Sequence, residues 1–90
     1  PQSPLAANAW YWLGEIWLVK SKISDAESAF ANVLKNFPAS TKRADAMYKL
    51  AGVYLQTNRK PQAKQLYQKI IEVFPNANAT RLAKRKLESL

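Results

Sequence analysis

One period governs this sequence. Slid along itself by 37 residues, the chain brings Pro1, Pro38 and Pro75 into register, then Ala9, Ala46 and Ala83, then Leu13, Leu50 and Leu87. The same shift lays Tyr11 on Tyr48, Trp17 on Tyr54, Ala26 on Ala63, Phe30 on Tyr67, Val33 on Ile70 and Phe37 on Phe74. Size and polarity recur at a fixed spacing. Such a pattern marks an array of one supersecondary unit whose copies bury their apolar faces against each other.

The unit reads as a pair of helices. Pro4 suits a first helical turn, with Ser3 as its N-cap, and nothing breaks the helical pattern until about Lys20. Trp10, Leu13, Gly14 and Trp17 follow the i, i+3, i+4, i+7 spacing of one apolar stripe, which predicts that they are buried. A glycine inside a helix costs about 1 kcal/mol against alanine, so Gly14 on this stripe predicts the close approach of another helix. After a connector at 21–23, residues 24–27 (SDAE) read as a capping box in which Ser24 and Glu27 serve free backbone N–H groups. The second helix runs to about Asn36 and is expected to bury Ala26, Phe30, Val33, Leu34 and Phe37. Pro38 ends it, since proline disfavours helical backbone just before itself.

The third helix is expected from about 41 to 57, with the stripe Met47, Leu50, Ala51 and Tyr54. Pro61 opens a fourth, which carries Ala63, Tyr67, Ile70, Ile71 and Phe74 and closes at Pro75. A last helix over 81–90 sets Leu82, Ala83 and Leu87 against Arg81, Lys84, Arg85 and Lys86, one dry face and one wet, as a terminal cap requires. Short connectors make neighbouring helices antiparallel. The prediction is an all-α, right-handed stack in one domain: a first repeat over about 7–40, a second over about 44–77 and a capping helix over about 78–90. Ala26 and Ala63 are expected to meet Gly14 and Ala51.

Composition excludes much chemistry. The chain has no Cys and no His, which removes disulfides, thiolate nucleophiles and the commonest base and metal ligand. Asp25 and Glu27 are two apart on a helix and do not face each other. No glycine-rich phosphate loop is present. The chain is therefore read as neither an enzyme nor a metal or cofactor protein. Two glycines in 90 residues argue against strands joined by tight turns. No apolar run approaches the roughly 18 residues of a membrane span. No signal peptide is recognisable. Pro1 holds the place of the proline that closes each later unit, so the sequence is expected to be a piece of a longer array. The net charge of +8 is uneven: residues 1–41 hold three basic and three acidic side chains, and residues 42–90 hold eleven and three. Such asymmetry points to an anionic partner or to a solvated basic face.

The residues Trp10, Leu13, Gly14, Trp17, Ala26, Phe30, Val33 and Pro38 resemble the pattern of the tetratricopeptide repeat (TPR). So do Met47, Leu50, Ala51, Tyr54, Ala63, Tyr67, Ile70 and Pro75. The departures are Val33 and Ile70 where Ala is usual, and a period three residues longer than the 34-residue norm. Residues 8–15 (NAWYWLGE), 33–38 (VLKNFP), 44–50 (ADAMYKL) and 83–87 (AKRKL) are together similar to one subfamily, the C-terminal TPR domains of the Tol–Pal system component YbgF, also called CpoB. That resemblance implies a periplasmic module that binds TolA and coordinates outer-membrane constriction with peptidoglycan synthesis at division. It also implies a precursor with a signal peptide and a trimerising coiled coil ahead of the TPR domain.

Stacked helix pairs curve, and the first helix of each pair lines the concave side. The groove candidates are therefore Asn8, Tyr11, Trp12, Glu15 and Val19 on the first helix. On the third they are Asp45, Tyr48, Lys49, Gly52 and Gln56, and Arg85, Leu82 and Ser89 extend the surface onto the last. Aromatic anchors flanked by amide and charged groups are the mixture found at binding hot spots. For Tyr11, Tyr48 and Trp12 packing between repeats is the competing assignment. Trp10, Trp17, Phe30, Tyr54 and Tyr67 are assigned to the core. A generic TPR scaffold for another peptide is one alternative. A nucleic-acid binder is another, since fourteen basic residues and ten aromatics could neutralise phosphates and stack bases. Leu5, Trp10 or Trp12 is expected to be partly exposed and to drive self-association.

Overall fold

A computed structural model describes residues 3–90. Five helices follow in order: α1 Pro4–Val19, α2 Ile23–Asn36, α3 Arg43–Gln56, α4 Lys60–Val73 and α5 Asn78–Ser89, with no strand among the described residues. Each helix packs on the next, and α3 also touches α5. The pairs α1–α2 and α3–α4 form two hairpins, and α5 covers the second. The molecule measures 37 × 30 × 17 Å. Its thinnest dimension fits two layers of helices about 10 Å apart. Pro1 lies outside the described residues.

Local chemistry sets the ends of the elements. The Ser3 hydroxyl accepts from the Ala6 N–H at 3.1 Å, capping α1, and Pro4 fills its first position. The ends of α1 and α3 are the same turn. Ser21 and Asn58 adopt φ of 60° and 65°, and the next N–H reaches back to close the helix: Lys22 to the Trp17 carbonyl at 2.8 Å, Arg59 to the Tyr54 carbonyl at 2.7 Å. This is the left-handed closure usually given to glycine. Both α2 and α4 end on an aromatic cap, Phe37 and Phe74, followed by an exposed proline. Pro38 and Pro75 thus stop helices and do not pack in the core.

Three boundaries differ from the sequence reading. First, α2 starts at Ile23, so Ser24 lies inside the helix and no side chain caps it. Glu27 instead forms a two-pronged ion pair with Arg59, at 2.5 and 3.1 Å, joining α2 to the α3–α4 turn. A charge-assisted fork outcompetes a local cap. Second, α3 starts at Arg43, because Ser40 holds the preceding turn with its hydroxyl on the Lys42 N–H. Third, α5 starts at Asn78, the bound given for the capping helix and three residues ahead of the amphipathic run at 81–90, and there the buried Thr80 donates its hydroxyl to the Phe74 carbonyl.

The core comprises two clusters that share α3. Ala46, Leu50 and Val53 face the first hairpin with Tyr11, Ala26, Phe30 and Val33. Ala44, Met47 and Ala51 face the second with Ala63, Tyr67, Ile70, Ala79 and Ala83. So α3 is buried on two sides. By contrast α1 has a neighbouring helix on one side only and buries Ala7, Tyr11 and Gly14. Trp10 is 40% exposed, a correction to its assignment as core, and Leu13 and Trp17 are half-buried. Leu50, in register with Leu13, is buried on the side of α3 that faces the first hairpin, and Met47, in register with Trp10, is buried within the second hairpin, whereas no described helix covers the corresponding flank of α1. Tyr54 is likewise half-buried, its ring covered by the Arg59 guanidinium 4.6 Å from the centroid. Gly14 does meet a close neighbour: the three atoms nearest an added Cβ, at 2.6 to 2.8 Å, all belong to the Phe30 ring. The contact is with that ring, one turn beyond Ala26.

Candidate protein-binding surface

The first helices α1 and α3 are joined by a polar and aromatic strip. Glu15 and Lys49 pair at 3.3 Å with both side chains about a third exposed (27% and 35%). Beside them the Tyr11 ring is buried, edge-on to Phe30 at 5.7 Å and to Trp12 at 5.2 Å. Burial pushes the Tyr11 phenol up to about 12, and the charges of Glu15 and Asp45 add to it. Trp12 stands 53% exposed at the margin. The Lys42 ammonium lies over both rings, 5.0 Å from Tyr11 and 5.3 Å from Trp12. Cation–π contacts of this kind hold an aromatic ring in place at a solvent boundary.

The structure therefore brings together Tyr11, Trp12, Glu15, Asp45 and Lys49, with Asn8 half-buried on α1. Tyr11 supports this surface from beneath and is not free to anchor a ligand, a correction to its place among the groove residues. Tyr48 is its register equivalent. It is half-buried and its ring packs on Tyr67 at 5.6 Å, so the contact between repeats occupies it too. Gln56 and Arg85 are exposed, at the end of α3 and on α5, outside the contacts that join the strip. Sequence reasoning missed Lys42. It precedes α3 in the connector, and no helical spacing links it to α1; only the turn after Pro38 brings it over the two rings.

Chemically the strip offers an indole, a cation, an ion pair and a carboxylate, which suits hydrogen bonding and apolar contact with a polypeptide. Among the described residues no group of three His, Cys, Asp or Glu side chains could hold a metal ion, and no helix is long and apolar enough to cross a membrane. Tyr67 and Arg43 each bury one polar atom, the hydroxyl and Nε, without a hydrogen-bond partner among the described residues. Both lie in the second hairpin.

Stacked antiparallel helix pairs with an interaction strip on their first helices define a helical-repeat module built to bind other proteins. The particular repeat is the tetratricopeptide repeat: the profile of that family matches residues 18–87, and the chain belongs to it. A comparison with curated proteins found no match.

Proposed function

We infer that this chain is a non-catalytic protein-binding module of the YbgF (CpoB) type, engaging TolA in the periplasm as part of the Tol–Pal system. In that role it would coordinate outer-membrane constriction with peptidoglycan synthesis at division. The observation that carries binding is the strip itself: an exposed indole held by Lys42 beside the Glu15–Lys49 pair. TolA as the partner rests on the sequence resemblance of residues 8–15, 33–38, 44–50 and 83–87 taken together, and the first of these segments also supplies Asn8, Trp12 and Glu15 to the strip.

The test is a titration of the chain with TolA and with single-stranded DNA, each at two salt concentrations. TolA binding that Trp12→Ala weakens about tenfold or more, at unchanged helicity, supports the reading. DNA binding that collapses with salt, with no response to TolA, replaces it with nucleic-acid binding. Silence with both leaves a TPR scaffold for a different peptide. The arrangement of aromatics weighs against DNA. The exposed indoles are on α1, in the electrically neutral half, whereas the exposed Lys64, Lys69, Arg81 and Lys84 are on α4 and α5.

One further observation favours self-association. Leu5, Trp12, Ile16 and Val19 are 77%, 53%, 49% and 86% exposed and share one face of α1. Their spacing is that of a packing seam. This seam lies in the half whose charges cancel, so two copies meeting there carry no net repulsion. Sedimentation at rising concentration should show a dimer that Ile16→Lys disperses; a strictly monomeric profile would remove this reading.

A further inference from the structure

The two hairpins differ at one place where the period predicts likeness. Between the first turn of α1 and the end of α2 lies a cavity of about 310 Å³, walled by Pro4, Ala7, Phe37, Pro38 and Ala39. In the second hairpin Phe74 takes the place of Phe37, and the Arg43 guanidinium lies over its ring, Cζ 5.8 Å from the centroid. Arg43 has its Nε buried there. The residue in register with Arg43 is Ala6. One hairpin thus carries its own arginine over the aromatic cap, and the other has a hollow beside its cap and an alanine in register with that arginine.

We propose that this cavity receives an arginine side chain from a protein partner, in the position that Arg43 occupies over Phe74. Charge, shape and chemistry agree. The hollow is at the C-terminal end of α2, the negative end of the helix dipole, where a cation is favoured. Pro38 has no N–H to give the Leu34 carbonyl, and no backbone N–H among the described residues reaches the carbonyls of Lys35 or Asn36. A guanidinium is planar, weakly hydrated and stacks on an aromatic face, whereas an ammonium does none of these as well. The volume is at the lower limit of ligand pockets, enough for one side chain. The site is at the end of the hairpin and does not depend on the identity of the partner at the α1–α3 strip.

The experiment uses the isotopically labelled chain and two capped tripeptides, acetyl-Gly-Arg-Gly-amide and its neutral isostere with citrulline. The arginine peptide should move the amides of Ala39, Ser40 and Thr41, and citrulline should bind about tenfold more weakly or worse. Ala6→Arg should fill the hollow as Arg43 fills its counterpart, abolish the response and raise the melting temperature. Equal binding of the citrulline peptide would overturn the proposal. So would stillness of these amides up to about 10 mM peptide, or an Ala6→Arg chain that folds and binds as before. The arginine–citrulline comparison on the unaltered chain decides the matter even if Ala6→Arg does not fold.

Discussion

The two hairpins are copies of one plan built with different tolerances. In the first, Gly14 lets the Phe30 ring lie against bare backbone. In the second, Ala51 occupies the same slot beside Tyr67, and both are fully buried. The first hairpin gains a close ring–backbone contact and gives up helix propensity. The second keeps the methyl but buries a phenol hydroxyl that finds no partner. Both members of the pair are larger in the second hairpin, by a methyl and by a hydroxyl, so the period repeats the contact without holding its summed volume constant.

The comparison is broken most severely by emptying the first ring site. Phe30→Ala should cost about 3–5 kcal/mol, as large buried truncations do; denaturant unfolding reads it, and near wild-type stability would refute the packing described. Next is Gly14→Ala. The new methyl would collide with a fully buried ring, and overpacking costs about 1–3 kcal/mol, offset by about 1 kcal/mol of helix propensity. The net loss should shrink when Phe30→Leu accompanies it. Ala51→Gly in the second hairpin should lose stability with no such relief.

Smaller and opposite in sign is Tyr67→Phe, which turns the second hairpin into the first. It removes a buried hydroxyl without a partner, so stability should hold or rise by about 1 kcal/mol. The same phenol gives a pH signature. Burial first, then Tyr48, pushes Tyr67 up to about 12 from an ordinary 10.0, and Tyr11 is raised to about 12 as well. A group whose folded value is raised stabilises the fold below its unfolded value and loses that contribution as pH climbs. Melting temperature should therefore fall between pH 10.0 and about 12. In Tyr67→Phe that slope should be shallower; an unchanged slope would locate the effect elsewhere.

The smallest effect belongs to the link between hairpins. The hydrogen bond from Arg59 holds the Glu27 carboxyl below its ordinary 4.5. A depressed carboxylate contributes above its unfolded value and loses that contribution as pH drops through the folded one. Glu27→Gln should flatten the acid limb of the stability profile below pH 4.5 and do little at neutral pH, since both side chains are about a third exposed and solvent screens them.

The helices themselves were legible. Pro38, Pro75 and Pro61 marked their ends and start, and Gly14 announced a close contact. The burial of α1 was not. That helix has a single charged residue, Glu15, among sixteen, so no polar face tells Trp10 and Trp17 from Ala7 and Tyr11. Trp17→Ala and Tyr54→Ala should therefore cost less than Phe30→Ala, since both side chains are half-buried. The end of α1 was also faint, because Ser21 takes the left-handed position where glycine would have signalled it. At the candidate surface, Trp12, Glu15 and Lys49 could be placed on first helices from their period. Lys42 could not, since its partners are far away in sequence.

What the sequence determined alone was the period, the helical character and the alternation of large and small residues that lets the units nest. These follow from local backbone preference and from volume, which each residue carries with it. What tertiary structure decided was which apolar flank is covered, which tyrosine is support and which indole is surface, and where one hairpin keeps a hollow that the other fills with Arg43. Those depend on how many neighbours a helix has, and that is a property of the stack.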